Sequence, residues 1–150
     1  MTHSLPAYPR SLLADEGVHR FTYSLFPHPG DWTQGGVVEE AFALNSPLVA
    51  LPVAPGGGML PAEWGFVRVE GVKLALGSLK RAEDGRGVIL RLYEPHGARG
   101  RCALRFALPV QRAERANLLE EQEGHVDVAD GVVGFEVRPF EVVTLRVEFG

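Results

Sequence analysis

A chain of 150 residues, 45% hydrophobic and 23% charged, has room for one packed domain and the composition of a folded one. A formal net charge of −4 excludes nucleic-acid binding driven by electrostatics, because no basic excess exists to displace counterions. The single cysteine, Cys102, excludes an internal disulfide framework and a Cys-x-x-Cys zinc site.

The 18 glycines and 11 prolines favour strands and turns over long helices. The longest apolar run, Ser46 to Pro61, is broken by Pro47, Pro52, Pro55 and Gly56–Gly58, so no membrane span is expected. Met1–Arg10 lacks a basic stretch followed by an apolar core. No signal peptide is therefore read, and a soluble cytoplasmic chain forming a single domain over residues 1–150 is the expectation.

In chain order, Val18–Phe26 comes first. His19, Phe21, Tyr23 and Leu25 alternate with Arg20, Thr22, Ser24 and Phe26, the period of two that predicts a strand. Pro27-His28-Pro29-Gly30-Asp31 ends it in a turn. Thr33 then stands as the cap of a short helix. Val37, Val38, Ala41, Phe42 and Leu44 recur at helical spacing, and the pattern stops at Asn45-Ser46-Pro47.

Leu48–Pro61 reads as an extended connection. From Phe66 the apolar residues Val67, Val69, Val72, Leu74 and Leu76 predict strand, with Gly71 as a turn or bulge. Lys80–Gly87 is a charged hairpin tip leading into Val88–Tyr93, an apolar run interrupted only by Arg91. That run predicts a central strand covered on both faces. Over Arg101–Leu108, Cys102, Leu104, Phe106 and Leu108 share one side. Cys102 is then a small core residue, not a nucleophile.

Gln111–Glu123 fits either a helix or an exposed acidic loop. Val132–Arg138 and Glu141–Phe149 are the last two strands, parted by Pro139. Strands dominate without a strand–helix–strand rhythm, so the expected fold is an all-β antiparallel sandwich with one short helix.

The chemistry is sparse. His3, His19, His28, His96 and His125 show no helical metal-pair spacing. His28 with Asp31 offers a metal-binding or substrate-orienting pair, or else a hydrogen-bonded turn that shapes the helix start. Gly56–Gly58 lacks the Lys-Ser/Thr of a phosphate loop, and no G-x-S-x-G elbow is present. Glu83 and Asp84, flanked by Lys80, Arg81 and Arg86, form the most suggestive cluster. Carboxylates there can bind sugar hydroxyls or pair with a neighbouring domain, or simply be a solvated tip. Trp32, Trp64 and Tyr93 are the aromatics available for stacking on a sugar.

Several segments resemble glycoside hydrolase family 38 α-mannosidases. They are Val18-His19-Arg20-Phe21-Thr22-Tyr23-Ser24-Leu25-Phe26-Pro27-His28-Pro29-Gly30-Asp31-Trp32, then Ala43-Leu44-Asn45-Ser46-Pro47-Leu48. Leu79–Glu94 (LKRAEDGRGVILRLYE), Asn117-Leu118-Leu119-Glu120 and Pro139-Phe140-Glu141-Val142-Val143-Thr144-Leu145 follow. Together they resemble the C-terminal end of such enzymes.

The resemblance implies a β-sandwich that is part of a larger, galactose-mutarotase-like supersandwich. It implies an accessory role beside a catalytic barrel and further β-domains, and no catalytic residue in this chain. It also implies no zinc site here, since the zinc belongs to the barrel. The tip residues Lys80, Glu83, Asp84 and Arg86 become candidates for the rim of the sugar site, and His28 and Asp31 turn candidates. Carbohydrate is the implied ligand, and self-association would follow from apolar surface left uncovered. A stand-alone carbohydrate-binding module and a purely structural module are the rival readings.

Overall fold

Strands do dominate residues 17–54 and 56–150, which are the residues that the computed structural model of the protein describes. The elements are α1 (Val37–Asn45), β1 (Val67–Gly71), β2 (Ala75–Arg81), β3 (Val88–Tyr93) and β4 (Gly100–Phe106). β5 (Val110–Ala116), β6 (Gln122–His125), β7 (Asp127–Ala129), β8 (Val132–Val137) and β9 (Val142–Phe149) follow. The chain falls into two units, Met1–Val37 and Val38–Gly150.

In the second unit, two antiparallel sheets pack face to face. One has the order β1-β4-β8-β7 and the other β2-β3-β9-β5-β6. Alternation explains the core. Cys102 and Leu104 of β4 lie opposite Phe135 and Val133 of β8, while Leu90 and Leu92 of β3 lie opposite Leu145 and Val143 of β9. These side chains form one buried cluster. Each fully buried Leu or Val contributes about 1.5–3 kcal/mol.

β3 is central and covered on both faces, as its composition predicts. Leu90 faces the core, and Ile89, on the opposite face, is also fully buried. At one end of the sandwich Phe66, Phe106 and Phe149 close the core with edge-to-face rings 5.4–5.8 Å apart.

Several expectations are corrected. Val18–Phe26 is extended but joins neither sheet, and its side chains are exposed. Alternation supplies an apolar side, yet a strand also needs a neighbouring edge for its backbone groups. The helix starts at Val37, not beside Thr33. Thr33 is itself held by Asp31, which accepts its N–H and hydroxyl.

Gln111–Glu123 is neither helix nor loop throughout but contains β5 and the start of β6. Register shifts between Val110 and Arg112, and between Arg115 and Ala116, break the period of two. Gly71 ends β1 at φ 89°, and the chain then passes to β2 in the other sheet. β4 stops at Phe106, leaving Leu108 exposed.

Candidate functional site

The hairpin tip Ala82–Gly87 joins β2 to β3. Its closure is local: Ala82 N–H donates to Gly87 O (3.2 Å) and Gly85 N–H to Ala82 O (2.9 Å). Gly87 has φ 73°, and a Cβ there would run into the Val147 carbonyl of β9. Only glycine satisfies both constraints.

Around the tip runs a charged network. Lys80, Ile89, Arg146 and Glu114 stand in one register row across β2, β3, β9 and β5. Arg146 Nη1 donates to Asp84 Oδ2 (2.7 Å), and Asp84 Oδ1 accepts the Arg86 N–H (2.9 Å). Glu120, from the β5–β6 turn, accepts the Glu83 N–H (2.8 Å) and pairs with Lys80 Nζ (2.7 Å). Lys80 also pairs with Glu83. The Glu120 carbonyl accepts from Arg146 Nη2 (3.3 Å).

Glu120 is buried and sits at φ 66°. Asn117 builds the turn that puts it there. Its Oδ1 accepts the N–H groups of Leu119 (2.9 Å) and Glu121 (3.0 Å). Leu118 and Leu119 on the same turn are exposed.

The electrostatics follow from these partners. The Arg86 N–H, then the Arg146 guanidinium, hold the Asp84 carboxyl below its ordinary range. Lys80 does the same for Glu120, helped by the Glu83 N–H, and Glu120 with Glu83 raises Lys80 in return. Asp84 and Glu120 are therefore ionised at neutral pH and serve as acceptors and charge partners, not proton donors. Glu83 and Arg86 differ from them: both side chains are 80% exposed and reach outward.

The structure thus brings Lys80, Glu83, Asp84 and Arg86 together and adds Glu120 and Arg146, which sequence reasoning had not placed in the cluster. For Glu120 the available signal was its position closing Asn117-Leu118-Leu119-Glu120. For Arg146 it was a charge inside an apolar strand.

His28 and Asp31 are used within their own turn. Asp31 Oδ1 accepts from the Thr33 N–H and hydroxyl and the Gln34 N–H (2.5–2.9 Å), and these bonds, the Thr33 hydroxyl foremost, lower its pKa. His28 lies against Phe26, with ring centroids 6.0 Å apart. Among the described residues no three His, Cys, Asp or Glu side chains converge on a metal position.

Cys102 is buried, with Sγ 3.5 Å from the Val72 carbonyl, and burial pushes its thiol up. Trp64 packs on Phe66 next to the four-stranded sheet, whereas Tyr93 lies in the other sheet, so these two do not form one platform.

At the other end of β3, Glu94 is buried and ties two loops together. Its oxygens accept the N–H groups of His96 (2.8 Å), Gly97 (2.7 Å) and Phe140 (3.0 Å). Burial alone would raise its pKa, but these backbone donors, with Ala98, outweigh it and the net direction is down. Glu141 stitches the same end, accepting from Arg138 N–H (2.6 Å) and Arg115 Nη1 (3.0 Å).

Residues 73–145 match the family described as glycosyl hydrolases family 38 C-terminal beta sandwich domain. The human protein Alpha-mannosidase 2C1 is 41% identical over 138 residues, covering 88% of this chain and 13% of that protein. Its mouse counterpart is 40% identical over 137 residues, with the same coverage of each chain. A Putative mannosylglycerate hydrolase of Halalkalibacterium halodurans is 30% identical over 132 residues, 88% of this chain and 14% of that protein. The chain thus spans only about an eighth of the length of such relatives. With two antiparallel sheets over the matched residues, the chain carries a C-terminal β-sandwich domain of glycosyl hydrolase family 38.

Proposed function

We propose that this chain is an accessory domain of an α-mannosidase, packing on the catalytic part of the enzyme and lending its hairpin tip to the edge of the sugar site. The observation that carries the reading is the division of labour at the tip. Asp84 pairs with Arg146, Glu120 pairs with Lys80, and both carboxylates also accept backbone N–H groups, which fixes the tip. Glu83 and Arg86 also pair, with Lys80 and with Asp84 (3.6 Å), but their side chains stay exposed and reach outward from it. Glu120, buried and at φ 66°, anchors the tip from beneath.

Leu118 and Leu119, exposed on the turn that supplies Glu120, give the same surface an apolar part. Catalysis and any zinc belong, in this reading, to polypeptide outside the chain. The domain contributes position: an outward Arg86 or Glu83 hydrogen-bonds a sugar hydroxyl or pairs with a residue at the rim.

The test is kinetic. In an α-mannosidase containing this domain, Arg86→Ala or Glu83→Ala should lower kcat/KM about tenfold, the worth of one charged hydrogen bond at ~1.5–3 kcal/mol. Thermal stability should stay unchanged. Wild-type kinetics in both variants would reduce the tip to a surface feature.

A further inference from the structure

Val18–Phe26 has the residues of a half-buried strand and none of its surroundings. Phe21, Tyr23 and Leu25 are 81%, 86% and 91% exposed. The rings of Phe21 and Tyr23 lie 6.4 Å apart at 28°, so the two project from the same side of an extended chain. Arg20, Thr22 and Ser24 alternate with them. Phe, Tyr, Thr and Val favour a pleated surface with one face covered. Left in water, such a segment presents a row of unpaired backbone groups beside three large apolar side chains, which is a template for sheet pairing.

Two observations indicate what covers it. The two sheets are built from residues between Val67 and Phe149, and the sandwich family matches residues 73–145, so the segment precedes both. Matches covering 88% of the chain necessarily take in Phe21–Leu25, and they come from proteins in which the matched region is 13% of the length. The segment is thus shared with the long relatives but not with the sandwich family.

We infer that Val18–Phe26 is a docking strand. It adds to the open edge of a β-sheet in the remainder of an α-mannosidase polypeptide, with Phe21, Tyr23 and Leu25 entering that sheet's core and Arg20, Thr22 and Ser24 facing water. The partner's identity rests on the function proposed above; the strand's need of a sheet edge does not. Pro27-His28-Pro29-Gly30-Asp31 ends the strand, and the Asp31-capped turn leads the chain away from it.

The experiment has two arms. First, amide exchange on the isolated 150-residue chain at micromolar concentration should leave residues 18–26 exchanging freely, while β3 and β9 are protected at least a thousandfold. Protection of 18–26 in a monomer would overturn the proposal. Protection that rises with concentration alongside a dimer in sedimentation would assign the strand to a second copy and equally overturn it.

Second, the chain is co-expressed with human Alpha-mannosidase 2C1 lacking its matched 138-residue region, and co-purification is measured. The wild-type chain should associate. Phe21→Asp with Tyr23→Asp should weaken association at least tenfold, and Thr22→Asp with Ser24→Asp should not. Neither pair should move the melting temperature of the isolated chain, because all four side chains are exposed.

No association of the wild type, or equal effects of the two pairs, would sink the idea. Strand-dependent association together with a kinetically silent Arg86→Ala would refute the sugar-rim contact and leave the docking strand standing.

Discussion

Glu94 shows how a carboxylate in a family-like motif can be wholly structural. It ends the run Leu90-Arg91-Leu92-Tyr93-Glu94, and its two oxygens take three backbone N–H groups from two loops. Glu94→Ala would leave those donors buried without an acceptor, at a cost of about 2–4 kcal/mol. Glu94→Gln should lose a similar amount, because an amide NH2 would face donors. Urea denaturation of the isolated chain measures both, and a Gln variant as stable as wild type would refute the network.

The pH dependence has a definite sign. Glu94, Asp84 and Glu120 are all held below their ordinary values. The unfolded chain therefore takes up protons before the folded one as pH falls. Their stabilisation is complete above the ordinary carboxylate range and is lost below about pH 4, as the folded-state values are crossed. A denaturation series from pH 7 to pH 3 should show stability flat at first and then falling. Sequence pattern pointed to the Glu83–Asp84 tip because both acids sit in one turn. It could not reveal Glu120 or Glu94 as anchors between distant segments, since the Glu83 partner of Glu120 and the Phe140 partner of Glu94 are 37 and 46 residues away along the chain.

Among the elements, the strands with a period of two or a continuous apolar run were the legible ones. β4, β8 and β9 alternate, β3 is an apolar run covered on both faces, and each has one face in the common core. β5 was not legible, because its bulges move the apolar residues off the alternation, and the short β7 carries too few residues for a pattern. Val18–Phe26 fails in the opposite way: its pattern is good, but pairing depends on an edge that pattern cannot supply.

Two variants test the elements. Phe106→Asp in β4 would bury a charge among Phe66, Phe149 and the core, and should cost about 3–5 kcal/mol. Unchanged melting would mean that β4 faces the other way. Gly87→Ala at the tip should cost about 1–3 kcal/mol, since both φ 73° and the Val147 carbonyl oppose a side chain there. A Gly87→Ala chain with wild-type stability would show that the tip relaxes freely.

At the scale of the whole molecule, the buried cluster and the residues packed against it all lie between Val67 and Phe149. The aromatic end of the core adds only Phe66 and its neighbour Trp64. α1 buries no side chain, and the stretch from Leu48 to Val53 is exposed. Cooperative stability should therefore reside in the sandwich. A chain starting at Glu63 keeps every core side chain and both sheets. It should retain a strand-type circular dichroism spectrum, lose only the small helical component of α1, and unfold in urea within about 1 kcal/mol of the 150-residue chain, the usual scale for removing exposed groups. Its denaturant slope should fall only slightly, because that slope follows the surface exposed on unfolding and no described residue before Glu63 is buried. Collapse of the shortened chain, or a loss of several kcal/mol, would mean that residues before Glu63 hold the sandwich together. The docking role of Val18–Phe26 would then have to be shared with a structural one.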